Sequence, residues 1–471
     1  MAAKTMIAAL IAALAMAGTA TAAPAKPPVA KARPAAKPAA AKPAAPKPAA
    51  PATLPDTPEV QALRRAFRFA FPIYELMRTR QVQLARAEAA GFPNAVNALL
   101  PKLTLSDHTA REITTPNNDT LYGSAWLDLS QGPVVLSVPA LPGRYNSATL
   151  MSLTTDVVAV LGTRTAAQGG RYTIVGPGYT GPTPAGTELV RSPTNDAWLL
   201  VRVVVNGAED VPTAAQALLR YTLAGPGATT PFPAPAPADP DAATFLAAVN
   251  AAITRSGSSD LQARALAHAD AGISAAASPE TLALWNRAMP FFINELKGGL
   301  AGLPEVDGWS YPPFNMAEYG EDDDLRSFVA LAGLAALPRV EAMYLTARKD
   351  AAGAVLDGSK SWRVRIPAGL PLNSFWSLSM YEVAPDGRLF FVENELGRYA
   401  VGDRSRHMRP DRDGSYEIFV QAAKPSGERV INWLPAPKGR FVLIFRGYLP
   451  RAPFLDGSFR LPPVIEGEMI P

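Results

Sequence analysis

The run Ala197-Trp198-Leu199-Leu200-Val201-Arg202-Val203-Val204-Val205, closed by Asn206-Gly207, is the stretch that decides the architecture. Its β-branched and aromatic side chains, ending at a turn dipeptide, read as a strand. Upstream, Gly132-Pro133-Val134-Val135-Leu136-Ser137-Val138-Pro139 is a short apolar run between breakers, and Arg171-Tyr172-Thr173-Ile174-Val175 is β-rich. Short strands parted by frequent Gly and Pro from Thr120 to Gly207 indicate a β-sandwich or barrel rather than a wound α/β sheet. Gly176-Pro177-Gly178-Tyr179-Thr180-Gly181 satisfies G-x-G-x-x-G, but Pro182, Pro184 and Gly186 follow where a dinucleotide site needs a helix to begin. It reads as a glycine-rich turn.

Helices flank this strand-rich stretch. From Glu59 to Ala90 the apolar residues Val60, Leu63, Phe67, Phe71 and Tyr74 fall near helical spacing; Pro72 kinks the helix, and Gly91 and Pro93 stop it. Residues 211–340 turn helical again, over Thr213–Leu223, Ala242–Arg255, Ser278–Leu300 and Asp323–Leu337, with a Pro-rich loop at 231–240. Ser278-Pro279-Glu280 is a helix start, a cap followed by Pro at the first helical position. From Tyr344 onward strands return. Asp357-Gly358, Pro385-Asp386-Gly387, Arg412-Asp413-Gly414 and Asp456-Gly457 punctuate runs such as Tyr416–Gln421 and Phe441–Phe445.

Residues 1–22 read as a secretory signal peptide: Lys4, an apolar Met6–Met16 too short for a bilayer, then Ala20-Thr21-Ala22. The mature chain is expected to begin at Ala23, without a transmembrane segment, in the periplasm or outside the cell. Residues 23–55, almost purely Ala, Pro and Lys, are expected to form a disordered tether. Seven of the 45 basic residues precede Asp56 and no acid does; the remainder carries 38 basic against 41 acidic residues, a net of −3. A basic nucleic-acid groove is therefore not expected. The absence of cysteine excludes thiolate nucleophiles, Fe–S clusters and Cys-ligated zinc. His108, His268 and His407 are scattered and fit no metal motif. No Walker A loop, G-x-S-x-G elbow, H-E-x-x-H or EF-hand loop occurs. No metal or cofactor is expected.

Two polar runs stand out: Pro116-Asn117-Asn118-Asp119-Thr120-Leu121-Tyr122, leading into Trp126-Leu127-Asp128-Leu129, and Asn373-Ser374-Phe375-Trp376-Ser377-Leu378-Ser379-Met380-Tyr381. With Gly143-Arg144-Tyr145, Gly162-Thr163-Arg164-Thr165, Gly402-Asp403-Arg404, Asn432–Pro437 and Arg446–Tyr448, the chain resembles the DUF1254/DUF1214 family over nearly everything after residue 58. The resemblance implies a multidomain, mainly β protein: an immunoglobulin-like β-sandwich, a helical insert and a C-terminal jelly-roll-like β-sandwich. The expected divisions are an N-terminal helix at 56–95, a DUF1254-like domain at 96–210, a helical region at 211–340 and a DUF1214-like domain at 341–471. Where the family often carries a histidine ahead of the first run, this chain has Pro101, with His108 nearby.

The candidate catalytic residues are Asp119 and Tyr122, facing a cleft, with Asp119 as acid, base or metal ligand; Asn117 to Thr120 also fit a local cap and turn. Candidate ligand-binding residues are Asn117, Arg144, Arg164, Trp376, Tyr381 and Arg404. The arginines suit an anionic ligand or structural pairing with Asp119, Asp128 or Asp403. Trp376, Tyr381 and Trp433 suit either an aromatic platform or core. Three functions stay open: an exported hydrolase or lyase acting on an envelope or environmental small molecule or glycan, a non-catalytic carbohydrate- or ligand-binding module, and a structural envelope protein. Homo-oligomerisation stays open as well.

Overall fold

The computed structural model describes residues 53–467, apart from 94, 112–113, 228–231, 233, 300–303 and 386. The expected signal peptide and nearly all of the tether lie outside the described residues.

Helix α1 (Pro58–Ala89) begins where sequence chemistry places it. Thr57 caps the N–H of Val60, Pro58 occupies the first turn, and Pro72 sits inside. Nine strands follow: β1 (Leu100–Lys102), β2 (Thr120–Asp128), β3 (Val134–Val138), β4 (Asn146–Ser152), β5 (Val157–Gly162), β6 (Gly170–Val175), β7 (Glu188–Arg191), β8 (Asp196–Val204) and, after helix α2 (Val211–Leu218), β9 (Thr222–Ala224). They form two sheets, β1-β2-β8-β4-β5 and β7-β6-β3-β9, which share one apolar core. Leu121, Ala125 and Leu127 of β2 point into it, as do Leu199, Val201 and Val203 of β8. The glycine motif at 176–181 is a loop after β6, with no helix beginning there.

Helices α3 (Ala242–Arg255), α4 (Ser259–Leu266), α5 (Pro279–Gly299) and α6 (Asp323–Gly333) come next, α3, α5 and α6 packing on α1. Short strands β10 (Glu305–Val306) and β11 (Trp309–Ser310) fall within this stretch, between the predicted helices Ser278–Leu300 and Asp323–Leu337. The second β body contains β12 (Ala342–Ala347), β13 (Ser361–Ile366), β14 (Trp376–Val383), β15 (Leu389–Phe390), β16 (Ala400–Gly402), β17 (Tyr416–Gln421), β18 (Trp433–Pro435), β19 (Phe441–Tyr448) and, after the short helix α7 (Ala452–Leu455), β20 (Val464–Gly467). One sheet runs β10-β11-β12-β19-β14-β15 with β16 also on β14; the other runs β18-β17-β13-β20. Trp376, Leu378 and Met380 of β14 enter the core between them with Leu443 and Phe445 of β19.

The two β bodies belong to one compact unit that starts at Asp56. A separate apolar cluster joins them: Tyr145 and Val204 from the first, Ala342, Phe375, Tyr448 and Leu449 from the second, and Leu337 between. A backbone bond crosses as well, from the Thr115 N–H to the Leu389 carbonyl (2.8 Å), and the Val157 N–H ties the first body to the Ala317 carbonyl of the segment before α6 (2.8 Å). The architecture is thus mainly β, with several sheets and accompanying helices. Among the described residues no helix is long and apolar enough to cross a membrane.

Candidate functional site

The turn leading into β2 places Asp119 at the seam between the bodies. The chain enters β2 through a side-chain turn in which Asn117 Oδ1 accepts the Asp119 N–H at 2.6 Å, while Asn117 Nδ2 donates to the Tyr448 hydroxyl at 3.1 Å. Asp119 is 3% exposed. Its carboxylate accepts from Ser377 Oγ at 2.6 Å and from Arg404 Nη2 at 2.7 Å. Arg404 also donates to the Val205 carbonyl at 2.6 Å and lies 4.0 Å over the Phe375 ring. Charge-assisted bonds of this length are strong. They pin the start of β2 to β14 and to the corner after β16.

The neighbouring residue on that corner is the chemically interesting one. Asp403 lines a cleft of about 210 Å3 with Trp376, Tyr416, Ser374, Leu370 and Leu372. Gly402 permits the approach, since a Cβ there would lie 2.3 Å from the Trp376 carbonyl oxygen. Asp403 Oδ1 accepts the Trp376 N–H at 3.3 Å and lies 3.8 Å from Arg404 Nε. Burial in the cleft wall raises its proton affinity, Arg404 and the Trp376 N–H oppose this, and nearby Asp119 reinforces it. The carboxyl is pushed up to about 6. Arg404 makes its short contact with Asp119 and lies farther from Asp403, so it offsets the burial only in part. About a third of the Asp403 side chain, 34%, stays open. A carboxyl of this kind both takes and gives a proton near neutral pH. Trp376 and Tyr416, edge to face at 5.7 Å, supply an aromatic wall.

The other sequence candidates separate. Arg144 forms a two-pronged pair with Asp210 (2.6 and 2.7 Å) and also binds the Val204 carbonyl, so its fork is used within the first body. Arg164 donates to the buried Glu341 at 2.7 Å. Neither joins Asp119. Trp376 and Tyr381 are five residues apart on one strand and therefore face opposite ways. Trp376 enters the core and the cleft, whereas the Tyr381 hydroxyl donates to the Pro116 carbonyl at 2.7 Å on the seam. Trp433 is buried and donates to the Gln421 carbonyl, so these three rings form no common platform. Tyr122 shares the seam and lies under the Arg202 guanidinium at 5.7 Å. Pro101 pairs with Gly123 on β1, and His108 Nδ1 meets the Tyr399 hydroxyl at 2.8 Å. No group of three or more His, Asp or Glu that could hold a metal converges among the described residues.

Comparison with known proteins agrees with this division into two β bodies. A model described as protein of unknown function (DUF1254) matches residues 96–224, and one described as protein of unknown function (DUF1214) matches 341–452. The chain belongs to the DUF1254/DUF1214 family. The first match ends at Ala224, the last residue of β9, which pairs with β3 in the second sheet. Among solved structures, this DUF1254/DUF1214 protein is similar to the VPA0106 protein from Vibrio parahaemolyticus. That likeness has 24% identity and a TM-score of 0.65, and covers 87% of this chain and all of that one; it bears on the fold. A putative uncharacterized protein from Burkholderia cenocepacia gives 14% identity and a TM-score of 0.43 over 88% of this chain and 91% of that one. No curated protein matches.

Sequence reasoning passes over Asp403 as a site residue, although it lies inside the Gly402-Asp403-Arg404 run. It also passes over Arg202 and Arg446. An arginine set within an otherwise apolar run, Ala197–Val205 or Phe441–Tyr448, is the available signal for both.

Proposed function

We propose that the protein is an exported enzyme, a hydrolase or lyase working in the periplasm or outside the cell, that uses Asp403 for proton transfer on a small molecule or sugar. The observation that carries this reading is the placement of Asp403 in an open cleft against Trp376 and Tyr416. An aromatic wall holds the apolar face of a ring, and a carboxyl beside it protonates a leaving group or takes a proton from water or carbon. Ser374 and Tyr416 bring hydroxyls to the same space. Asp119 enters as a positioning residue: it engages Arg404 and so leaves Asp403 able to hold a proton. In this reading the two β bodies are an immunoglobulin-like sandwich and a jelly-roll-like sandwich, and the cleft belongs to the latter. A second reading, a non-catalytic carbohydrate-binding module, draws on the same aromatic pair.

The test is a screen of p-nitrophenyl glycosides and esters with the full chain across pH, repeated with Asp403→Asn. Turnover governed by an ionisation near 6, and reduced ~100-fold or more in the variant, is the expected result. Equal turnover by Asp403→Asn, or an Asp403 carboxyl that titrates at the ordinary aspartate value by NMR, would refute the enzyme. Retained sugar binding without turnover would favour the second reading.

A further inference from the structure

A second group of polar residues lies on the seam, apart from those that line the Asp403 cleft. Cross-strand register aligns Tyr122, Arg202 and Ser147 side by side on β2, β8 and β4. In the second body it aligns Tyr344, Arg446 and Ser377 on β12, β19 and β14. Both rows point away from their own cores, because Leu121, Val203, Leu345 and Phe445 on the adjoining positions point inward. Each sheet thus presents a Tyr–Arg–Ser row, and the rows face each other: Tyr344 lies within electrostatic reach of Arg202, Arg446 and Tyr122.

Both arginines are buried, Arg202 at 4% and Arg446 at 2% exposure. Neither forms an ion pair with a carboxylate among the described residues. Arg202 donates to Thr149 Oγ1 (3.2 Å) and to the Ala335 carbonyl (2.9 Å). Arg446 donates to Ser379 Oγ and the Tyr381 hydroxyl, both at 2.7 Å. The Nε–H of each has no partner. The nearby anions are engaged, Asp119 by Arg404 and Ser377, Glu341 by Arg164 and the Tyr145 hydroxyl. Burial raises the phenol pKa of Tyr344, Tyr381 and Tyr448, so these tyrosines stay neutral and offer hydroxyls rather than countercharge. Two buried cations lacking a close anion are costly, and an anionic occupant relieves that cost. Tyr122 and Tyr344, one on each row, both keep some accessible surface.

We propose that this seam binds a small ring-bearing carboxylate, with the Nε–H groups of Arg202 and Arg446 on its oxygens and the Tyr122 and Tyr344 rings along its body. Guanidinium N–H groups match carboxylate oxygens, and phenol rings match an aromatic or cyclic tail. Because it involves neither Trp376 nor Asp403, the proposal stands or falls separately from the enzyme reading.

The experiment titrates the full chain with benzoate, with benzyl alcohol as its uncharged counterpart and with inorganic phosphate as an anion lacking a ring. Binding is read by calorimetry and by the shift in Tm. Benzoate is expected to bind saturably and to raise Tm, and the other two to bind at least tenfold more weakly. Losing one charged hydrogen bond should weaken benzoate ~10- to 100-fold in Arg446→Met, and Tyr344→Leu, which removes the ring along its body, should also weaken it. If Arg446→Met does not fold, Arg202→Lys and Tyr344→Leu decide between the outcomes. No saturable benzoate binding overturns the proposal. So does phosphate or benzyl alcohol binding as tightly as benzoate, or benzoate binding unchanged in the variants that fold.

Discussion

Replacing Arg404 by Met tests whether the seam is held by a buried charge pair. The substitution keeps much of the side-chain volume over Phe375 but removes the donors to Asp119 Oδ1 (2.7 Å) and to the Val205 carbonyl (2.6 Å). Asp119, 3% exposed, would keep Ser377 Oγ as its side-chain donor. Leaving a carboxylate uncompensated in such a place costs ~3–5 kcal/mol. Two hydrogen bonds that involve a charged group, at ~1.5–3 kcal/mol each, give a similar figure. Asp119→Asn in the Arg404→Met background removes the stranded charge, and most of the loss should return. The expected coupling energy in the double-mutant cycle is therefore ~2–3 kcal/mol. Urea unfolding followed by tryptophan fluorescence, with linear extrapolation, measures all four corners. If the two substitutions add within ~0.5 kcal/mol, Arg404 and Asp119 do not form the interaction described, and the explanation of how Asp403 retains its proton falls with it.

Asp403 also predicts a pH dependence. Folded, its carboxyl holds a proton up to about 6, against an ordinary value of 3.8, so ionising it opposes folding. The gap amounts to ~3 kcal/mol at full weight, and we halve it to ~1.5 kcal/mol because a third of the side chain is open to solvent. The penalty is absent below about pH 4, grows as pH rises from there, and is complete above about pH 6–7. Asp403→Asn should match wild type near pH 4 and exceed it by ~1.5 kcal/mol near pH 8; parallel urea midpoints for the two proteins at both pH values would contradict this. Gly402→Ala should destabilise by ~1–3 kcal/mol and shrink the cleft, because its Cβ meets the Trp376 carbonyl at 2.3 Å. An unchanged Tm would show that β16 moves aside freely.

Much of the fold is readable where local chemistry and burial agree. The Thr57–Pro58 start of α1, the Ser278–Pro279 start of α5 and the apolar runs of β3, β6 and β8 all carry their signal within a few residues. Strands β9, β10 and β11 are two or three residues long and owe their existence to distant partners, so no local pattern marks them. The site is readable in part. Asn117, Asp119, Tyr381 and Arg404 do meet, and the pairing of Arg404 with Asp119 is one of the alternatives their chemistry allows. Parity along β14 alone separates Trp376 from Tyr381. What a single chain does not display is competition for a partner. Arg144 is captured by Asp210 and Arg164 by Glu341, 177 residues away. The proton affinity of Asp403 depends on Arg404 preferring a carboxylate from the other body.

The apolar cluster that contains Tyr145, Val204, Phe375 and Tyr448 has a consequence for how the protein can be made. Two of the cluster's seven buried members, Tyr145 and Val204, are synthesised long before the other five. The leading portion must therefore persist with a greasy flank until the trailing portion arrives to cover it. Expressing either family-matched segment alone should yield a sticky product, and co-expressing the two fragments should restore solubility. The two segments are better regarded as halves of one folding unit than as interchangeable modules.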